Sequence, residues 1–206
     1  MIDKDTERTL KAVAEFFDAI KIGYTGHSGY RKTTDLYVLL EACWDLLKKG
    51  ILNPQKTVFL DLGCGDGRVN LFMSYFTRWS IGIELEDFIY DEYPLRKAEL
   101  ECYLRKRNCL PLNSNILILN GDSLNPDTYE IIFKNTLITL QDIDIFYTYI
   151  TLHDAFAGFI AKEARYGSFY MVYGFNAIIP RYEGLTLITP DVGNQGLIAL
   201  YRKEKH

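Results

Sequence analysis

The hydrophobic positions of the chain follow a helical period near the N-terminus. Over residues 4–20, and again from about residue 34 to 49, apolar residues recur at spacings of three and four, which predicts two amphipathic helices. Thr33 or Thr34 is the predicted N-cap of the second helix. The intervening residues 21–34 contain three glycines between polar and aromatic residues, so we expect a loop there.

The rest of the chain alternates between short apolar runs and helical patterns. Five runs predict strands, at residues 57–60, 79–84, 116–119, 142–150 and 168–173. Helices are predicted between them, at residues 67–78, 91–107, 127–139 and 153–165. Two final runs, at 184–189 and 196–201, flank a turn and predict an antiparallel hairpin. The pattern therefore predicts an α/β fold with a doubly wound, mostly parallel seven-stranded sheet that ends in this hairpin.

The first predicted strand leads into a glycine-rich turn that reads D-L-G-C-G-D-G from Asp61 to Gly67. A strand, a glycine turn and a helix in this order form a nucleotide-binding corner, because glycine lets the backbone approach a ligand closely. A dinucleotide fingerprint would need its third glycine at Arg68, and no Gly-Lys-Ser/Thr follows for a phosphate-binding loop. The spacing disfavours both of these ligands, and a tight turn without a ligand is the alternative.

The form D-x-G-x-G-x-G resembles the first motif of the class I S-adenosylmethionine-dependent methyltransferases. This resemblance covers about residues 57–201 and implies S-adenosylmethionine as the cofactor and S-adenosylhomocysteine as its product. It also implies that Glu84, at the end of the second strand, holds the ribose and that Asp122 contacts the adenine. The cofactor-binding residues that it implies are Asp61, Gly63, Cys64, Gly65, Asp66, Gly67, Glu84, Asp122 and Ser123.

The end of the fourth strand is where this family places its chemistry. Residues 146–149 read F-Y-T-Y and contain no proline, which disfavours the amide and base acceptors of the Asn/Asp-Pro-Pro-Tyr/Phe enzymes. Residues 144–150 and 173–180 are similar to segments of the small archaeal and mitochondrial protein lysine methyltransferases that lack a SET domain. This second resemblance implies a lysine acceptor. Tyr147 and Tyr149, which lie in the first of these segments, are the candidate catalytic residues because they could build an aromatic channel for the amine.

An acceptor channel for an amine is expected to be aromatic, because aromatic faces favour cationic groups. Tyr24 and Tyr30 lie in the glycine-rich loop at residues 21–34, which is a candidate lid over the ligand. An ordered surface loop is an equal alternative. His27 and His153 are candidate bases, although an isolated histidine is more often structural.

The composition and net charge of the chain limit the kinds of partner that we expect. Its 206 residues and 23.8 kDa suit one compact domain, in which residues 1–50 form N-terminal helices and the candidate lid and residues 51–206 form the cofactor-binding core. A net charge of −4 disfavours nucleic acid as a partner, so we expect a protein or small-molecule methyl acceptor. A small-molecule methyltransferase and a non-catalytic cofactor-binding module both stay open as alternatives.

The sequence also indicates where the protein is located and whether it binds a metal. No apolar stretch reaches the roughly 20 residues of a membrane helix, and the charged N-terminus is untypical of a signal peptide. These features predict a cytoplasmic protein without a membrane partner. The four cysteines lack metal-ligand spacing, so no metal is predicted.

Overall fold

The computed structural model describes residues 2–20, 25–26, 29–30, 33–175 and 178–205. Its helices are α1 Lys4–Asp18, α2 Leu36–Lys48, α3 Arg68–Met73, α4 Asp87–Tyr90, α5 Glu92–Lys106, α6 Pro126–Thr136 and α7 His153–Glu163. Its main strands are β1 Val58–Leu62, β2 Trp79–Glu84, β3 Ile116–Asn120, β4 Ile145–Tyr149, β5 Phe169–Tyr173, β6 Leu185–Thr189 and β7 Ile198–Lys203. Two two-residue strands, Thr25–Gly26 and Gly29–Tyr30, pair only with each other.

The seven main strands form one sheet in the order β3-β2-β1-β4-β5-β7-β6. Strands β1 to β5 are parallel, and β7 runs antiparallel to both of its neighbours, β5 and β6. This confirms the predicted fold class, including the closing hairpin. The strand order reverses between β1 and β4, and a doubly wound sheet opens a crevice at the carboxyl ends of its strands at such a point.

Helices cover both faces of the sheet, which explains why the central strands read as continuous apolar runs. On one face, α1 and α2 contribute Phe17 and Leu39 to a cluster that includes Phe59 of β1. On the other face, Phe156 of α7 packs in a cluster with Phe146 of β4. All five residues of β1 are buried, so its carboxyl end is held rigidly at the crevice.

Several predicted elements are shorter in the structure, and two of them have a clear local reason. The helix predicted at residues 67–78 ends at Met73, because the amides of Tyr75 and Phe76 bond to carbonyls only three residues back. The strand predicted to begin at residue 142 begins at Ile145. Before it, the Asp142 carboxylate accepts bonds from Thr139 and closes a short 3₁₀ turn.

The predicted N-cap of α2 was wrong. Asp35 caps this helix, since its carboxylate accepts the Val38 amide hydrogen at 3.0 Å. The Thr34 hydroxyl has a different partner, Tyr147, on the central strand β4. Among the helices that the structure describes, none combines the length and the apolar character that crossing a membrane requires.

Candidate active site

A cavity of about 580 Å³ lies in the crevice between the ends of β1 and β4. Most of the predicted site residues line it, namely Asp61, Gly63, Cys64, Gly65, Asp66, Glu84, Asp122, Ser123, Tyr147 and Tyr149. Gly67 is not among the described lining residues. The side chains of Tyr24 and Tyr30 lie outside what the structure describes, as does His27.

The glycine turn is folded back onto the end of β2. The amides of Gly63 and Cys64 both donate to the Ile83 carbonyl at 2.9 Å. Gly63, Gly65 and Gly67 all have positive φ angles, of 87°, 60° and 75°. Residues with a Cβ rarely adopt such backbone angles. A Cβ on Gly67 would also lie 2.5 Å from the Tyr93 ring, so this glycine shapes the turn from outside the cavity.

Glu84 fixes the glycine turn from the end of β2. One of its carboxylate oxygens accepts the Gly65 amide hydrogen at 2.8 Å, and the other accepts that of Glu86 at 3.0 Å. The side chain is 7% exposed and lines the cavity. Each carboxylate oxygen retains a second lone pair, so Glu84 can still accept hydrogen bonds from a ligand.

Asp61 is a buried carboxylate that faces the cavity from the end of β1. It is 2% exposed, and its carboxylate accepts no hydrogen bond from any described residue. Burial raises the pKa of this carboxyl well above its usual range, and the nearby charges of Glu84 and Asp66 raise it further. A buried carboxyl with a raised pKa either keeps its proton or is ionised beside a cationic group of a ligand.

Asp66 forms an ion pair with Arg68, the residue that stands where a dinucleotide fingerprint would have its third glycine. Arg68 donates from Nη2 to Asp66 at 2.8 Å and from Nε at 3.0 Å, and both side chains are buried. The guanidinium also lies 5.2 Å from the ring centroid of Phe17 on α1. Arg68, which directly follows the glycine turn, is therefore paired with Asp66.

The β4 side of the cavity is aromatic. Tyr147 is 1% exposed, and its hydroxyl oxygen lies 2.5 Å from the hydroxyl oxygen of Thr34. Burial, followed by the charge of Asp61, raises the pKa of the Tyr147 phenol well above its usual range, so the phenol stays protonated. Tyr149 is half-buried, and its ring lies 5.3 Å from that of Tyr173 on β5.

Comparison with known proteins identifies the fold. Neither a family model nor a curated protein matches the sequence. Among solved structures, a putative RNA methyltransferase from Pyrococcus horikoshii matches 96% of this chain and 100% of its own, with a TM-score of 0.56 and 14% identity. The chain has the class I methyltransferase fold.

Two further structures with this fold are similar to the chain. An RNA methyltransferase from Salinibacter ruber, in complex with S-adenosyl-L-homocysteine, matches 85% of this chain and 95% of its own, with a TM-score of 0.52 and 12% identity. A tRNA (m1A58) methyltransferase from Aquifex aeolicus matches 89% of this chain and 82% of its own, with a TM-score of 0.50 and 14% identity.

Within this methyltransferase fold, several lining residues escaped the sequence analysis. They include Leu85, Phe88, Leu124, Leu152 and Phe156. Leu85 directly follows Glu84, and Leu124 directly follows Ser123, so the position after each strand-end polar residue was the available signal. Thr33 and Thr34 also line the cavity, and they are the last two residues of the segment 21–34 that the sequence predicted as a candidate lid.

The candidate base His153 and the proposed adenine contact Asp122 lie at different positions relative to the cavity. His153 is not among the described lining residues; its Nδ1 lies 2.7 Å from the Tyr182 hydroxyl, and its ring packs against Phe175. Asp122 is exposed at the cavity, and one of its carboxylate oxygens accepts the Leu124 amide hydrogen at 2.8 Å. Among the residues that the structure describes, no cluster of metal-ligating side chains occurs.

Proposed function

We propose that the protein is an S-adenosylmethionine-dependent methyltransferase whose acceptor is the side-chain amine of a protein lysine. The observation that carries the cofactor assignment is Asp61, a buried carboxylate that has no partner among the described residues and faces the cavity. A buried carboxyl without a partner favours its protonated form, and a cofactor with cationic groups would stabilise the ionised form instead. The fold places this carboxylate in the crevice where such folds bind ligands.

The residues of the cavity suit this cofactor in size and chemistry. A volume of about 580 Å³ falls within the range of small-molecule sites. Asp61 and the glycine turn would hold the methionine portion, Glu84 the ribose hydroxyls, and Asp122 with Ser123 the adenine. When bound, S-adenosylmethionine supplies an electrophilic methyl group on a sulfonium centre.

The charge of the cavity supports a cationic acceptor. Among the described lining residues, Asp61, Glu84, Glu86 and Asp122 have carboxyl groups that form no ion pair with a described lysine or arginine. Arg68 is the lone lysine or arginine among the described lining residues, and it is paired with Asp66. A negative cavity raises the local concentration of cations and repels phosphates. This favours an amine that enters as an ammonium over a nucleic acid.

The β4 side supplies an aromatic wall for such an amine. Tyr149 is half-buried at the cavity, with Tyr173 behind it, and aromatic faces stabilise ammonium groups. Removal of water by these rings lowers the pKa of an entering ammonium, which promotes the neutral, nucleophilic form. The resemblance of residues 144–150 to lysine methyltransferases supports the same acceptor.

RNA is the second acceptor to test. The solved structures that match this chain include RNA methyltransferases, so the prediction that nucleic acid is not a partner stays a prediction. Our proposal favours lysine because the described part of the cavity is acidic.

Transfer of a radiolabelled methyl group from S-adenosylmethionine into a lysate of the source cells tests the proposal. We expect label in the protein fraction and methyl-lysine after acid hydrolysis. Glu84→Ala should reduce the labelling at limiting cofactor, while Glu130→Ala, on the exposed face of α6, should retain it. Label in RNA or in small molecules would overturn the lysine assignment. Tight cofactor binding without any label would favour a non-catalytic binding module.

A further inference from the structure

Thr34 and Tyr147 form a buried hydrogen bond between two distant parts of the chain. Their hydroxyl oxygens lie 2.5 Å apart, the residues are 113 positions apart in sequence, and they are 5% and 1% exposed. This separation is at the short end of the range for hydroxyl–hydroxyl hydrogen bonds. A buried phenol without a partner is costly, and Thr34 is the partner that the structure supplies.

Neighbouring contacts hold the start of α2 in the same place. The Asp35 amide donates to the Tyr173 hydroxyl at 3.3 Å. The Leu36 amide donates to Asp18, the last residue of α1, at 2.9 Å. We name residues 34–37 the α2 anchor. It is therefore tied to the middle of β4 and to the last residues of β5 and α1.

The Thr34–Tyr147 bond is not needed to cap α2. Asp35 already accepts the Val38 amide hydrogen, and the Asp18 carboxylate accepts the amides of Leu36 and Tyr37. The helix therefore begins with its amides satisfied by these two aspartates. The bond to Tyr147 instead determines how the α2 anchor sits against the cavity.

The α2 anchor lies on the side of the cavity away from the predicted ribose and adenine contacts. Thr33 and Thr34 line the cavity together with Tyr147 and Tyr149 of β4, and Tyr173 of β5 lies behind them. The residue proposed for the ribose is the last of β2, and those proposed for the adenine follow β3, both beyond β1 in the sheet order. The anchor thus forms the edge that faces the acceptor.

We propose that Thr34 and Tyr147 are a positioning pair: their hydrogen bond fixes the acceptor edge of the cavity relative to the cofactor site. This inference rests on the proposed function and revises the expected role of Tyr147. Its phenol does not act as a base, because it is buried, protonated and already hydrogen-bonded to Thr34. Direct contact with the acceptor is left to Tyr149 and Thr33.

The pair is expected to affect the acceptor more than the cofactor. An in-line transfer depends on alignment, and a displacement of about 1 Å can reduce the rate by roughly a hundredfold. Thr34→Val keeps the shape of the side chain and removes the hydroxyl, whereas Thr34→Ser keeps the hydroxyl. We expect Thr34→Val and Tyr147→Phe each to lower kcat/KM for the acceptor by about tenfold or more.

The test combines three measurements on the full-length wild type and the single and double variants. Calorimetry with S-adenosylhomocysteine gives the cofactor-site affinity, and methyl-transfer kinetics give kcat/KM for the acceptor. Hydrogen exchange of the amides of residues 33–37, read by mass spectrometry, reports on the α2 anchor without any need for activity. In the Thr34→Val and Tyr147→Phe variants we expect faster exchange there, an affinity within about twofold of wild type, and no additive loss in the double variant.

The outcomes separate this proposal from the proposed function. Recovery of wild-type exchange and kcat/KM in Thr34→Ser supports the positioning pair. An active wild type with unchanged exchange and kcat/KM in Thr34→Val would overturn it while leaving the methyltransferase assignment intact. A loss of cofactor affinity as large as the loss for the acceptor would also overturn it. A wild type that methylates no acceptor would overturn the proposed function and, with it, the acceptor role of the pair.

Discussion

Asp61 and Tyr147 are direct register partners on the adjacent parallel strands β1 and β4. Partner residues of parallel strands point to the same face of a sheet, so the carboxylate and the phenol lie side by side at the crevice. The Asp61 charge contributes to the raised pKa of Tyr147. This pair marks the boundary between the proposed cofactor side, on β1 and β2, and the proposed acceptor side, on β4 and β5.

The raised pKa of Asp61 predicts that cofactor binding releases a proton. In the unliganded protein, burial and the charges of Glu84 and Asp66 favour the protonated carboxyl. A cationic ligand favours the carboxylate, so the affinity for S-adenosylmethionine should increase as the pH rises from 3.8 through the raised pKa. Calorimetry in buffers of different ionisation enthalpy measures the released proton. Asp61→Asn should release none; a proton release equal to that of wild type would contradict the assignment.

The same group predicts the pH dependence of stability. The folded pKa of Asp61 lies above its unfolded value of 3.8, so the folded state binds more protons in this window. The contribution of Asp61 to the free energy of unfolding is fully present below pH 3.8 and is lost as the pH rises through the folded pKa. Denaturant unfolding of the unliganded protein across this range should show a decline that Asp61→Asn lacks. Parallel curves for the two proteins would refute this.

Glu84→Ala should weaken cofactor binding in two ways. It removes the proposed ribose acceptor, and it releases the Gly65 amide that now donates to Glu84 at 2.8 Å. The expected loss of binding free energy is about 1–3 kcal/mol, measured by titration calorimetry with S-adenosylmethionine. The surface variant Glu130→Ala is the control and should bind as wild type does. Equal affinities for both variants would remove Glu84 from the site.

Gly67→Ala should lower the free energy of unfolding, because Gly67 has a φ of 75° and its missing Cβ would meet the Tyr93 ring. The left-handed backbone alone should cost about 1–2 kcal/mol. Gly158→Ala is a matched control: Gly158 is exposed within α7 and has nothing within 4 Å of a Cβ. It should stabilise the protein by about 0.5–1 kcal/mol. Urea unfolding measures the free energy of unfolding of both variants. A Gly67→Ala variant as stable as wild type would contradict the prediction and show that the turn can change its conformation.

Cysteine reactivity should follow burial. The Cys64 thiol is buried in the glycine turn, and burial together with the charges of Asp61 and Glu84 raises its pKa well above the usual range. Cys102 is exposed on α5. Brief iodoacetamide treatment at neutral pH, followed by peptide mass spectrometry, should label Cys102 and spare Cys64. Rapid labelling of Cys64 would indicate an exposed turn.

Local patterns determined much of the proposed cofactor side. The apolar run of β1, the glycines that follow it and the acidic Glu84 at the end of β2 were all visible in sequence, because strand, turn and strand end lie within a short stretch. The order of strands and helices and the final alternation also predicted the doubly wound sheet with its hairpin. Such signals are local, so periodicity and spacing are enough to predict them.

Only the tertiary structure decided how these parts are used. The structure pairs Arg68 with Asp66, gives the cap of α2 to Asp35, and joins the Thr34 hydroxyl to Tyr147 across 113 positions. The Arg68–Asp66 and Thr34–Tyr147 pairs depend on which polar groups are buried together after the sheet has formed, because buried polar groups must find partners. The sequence by itself therefore determined the fold and most of the candidate cofactor residues. The contacts of the α2 anchor with Tyr147 of β4 and Tyr173 of β5 decided the shape of the proposed acceptor side.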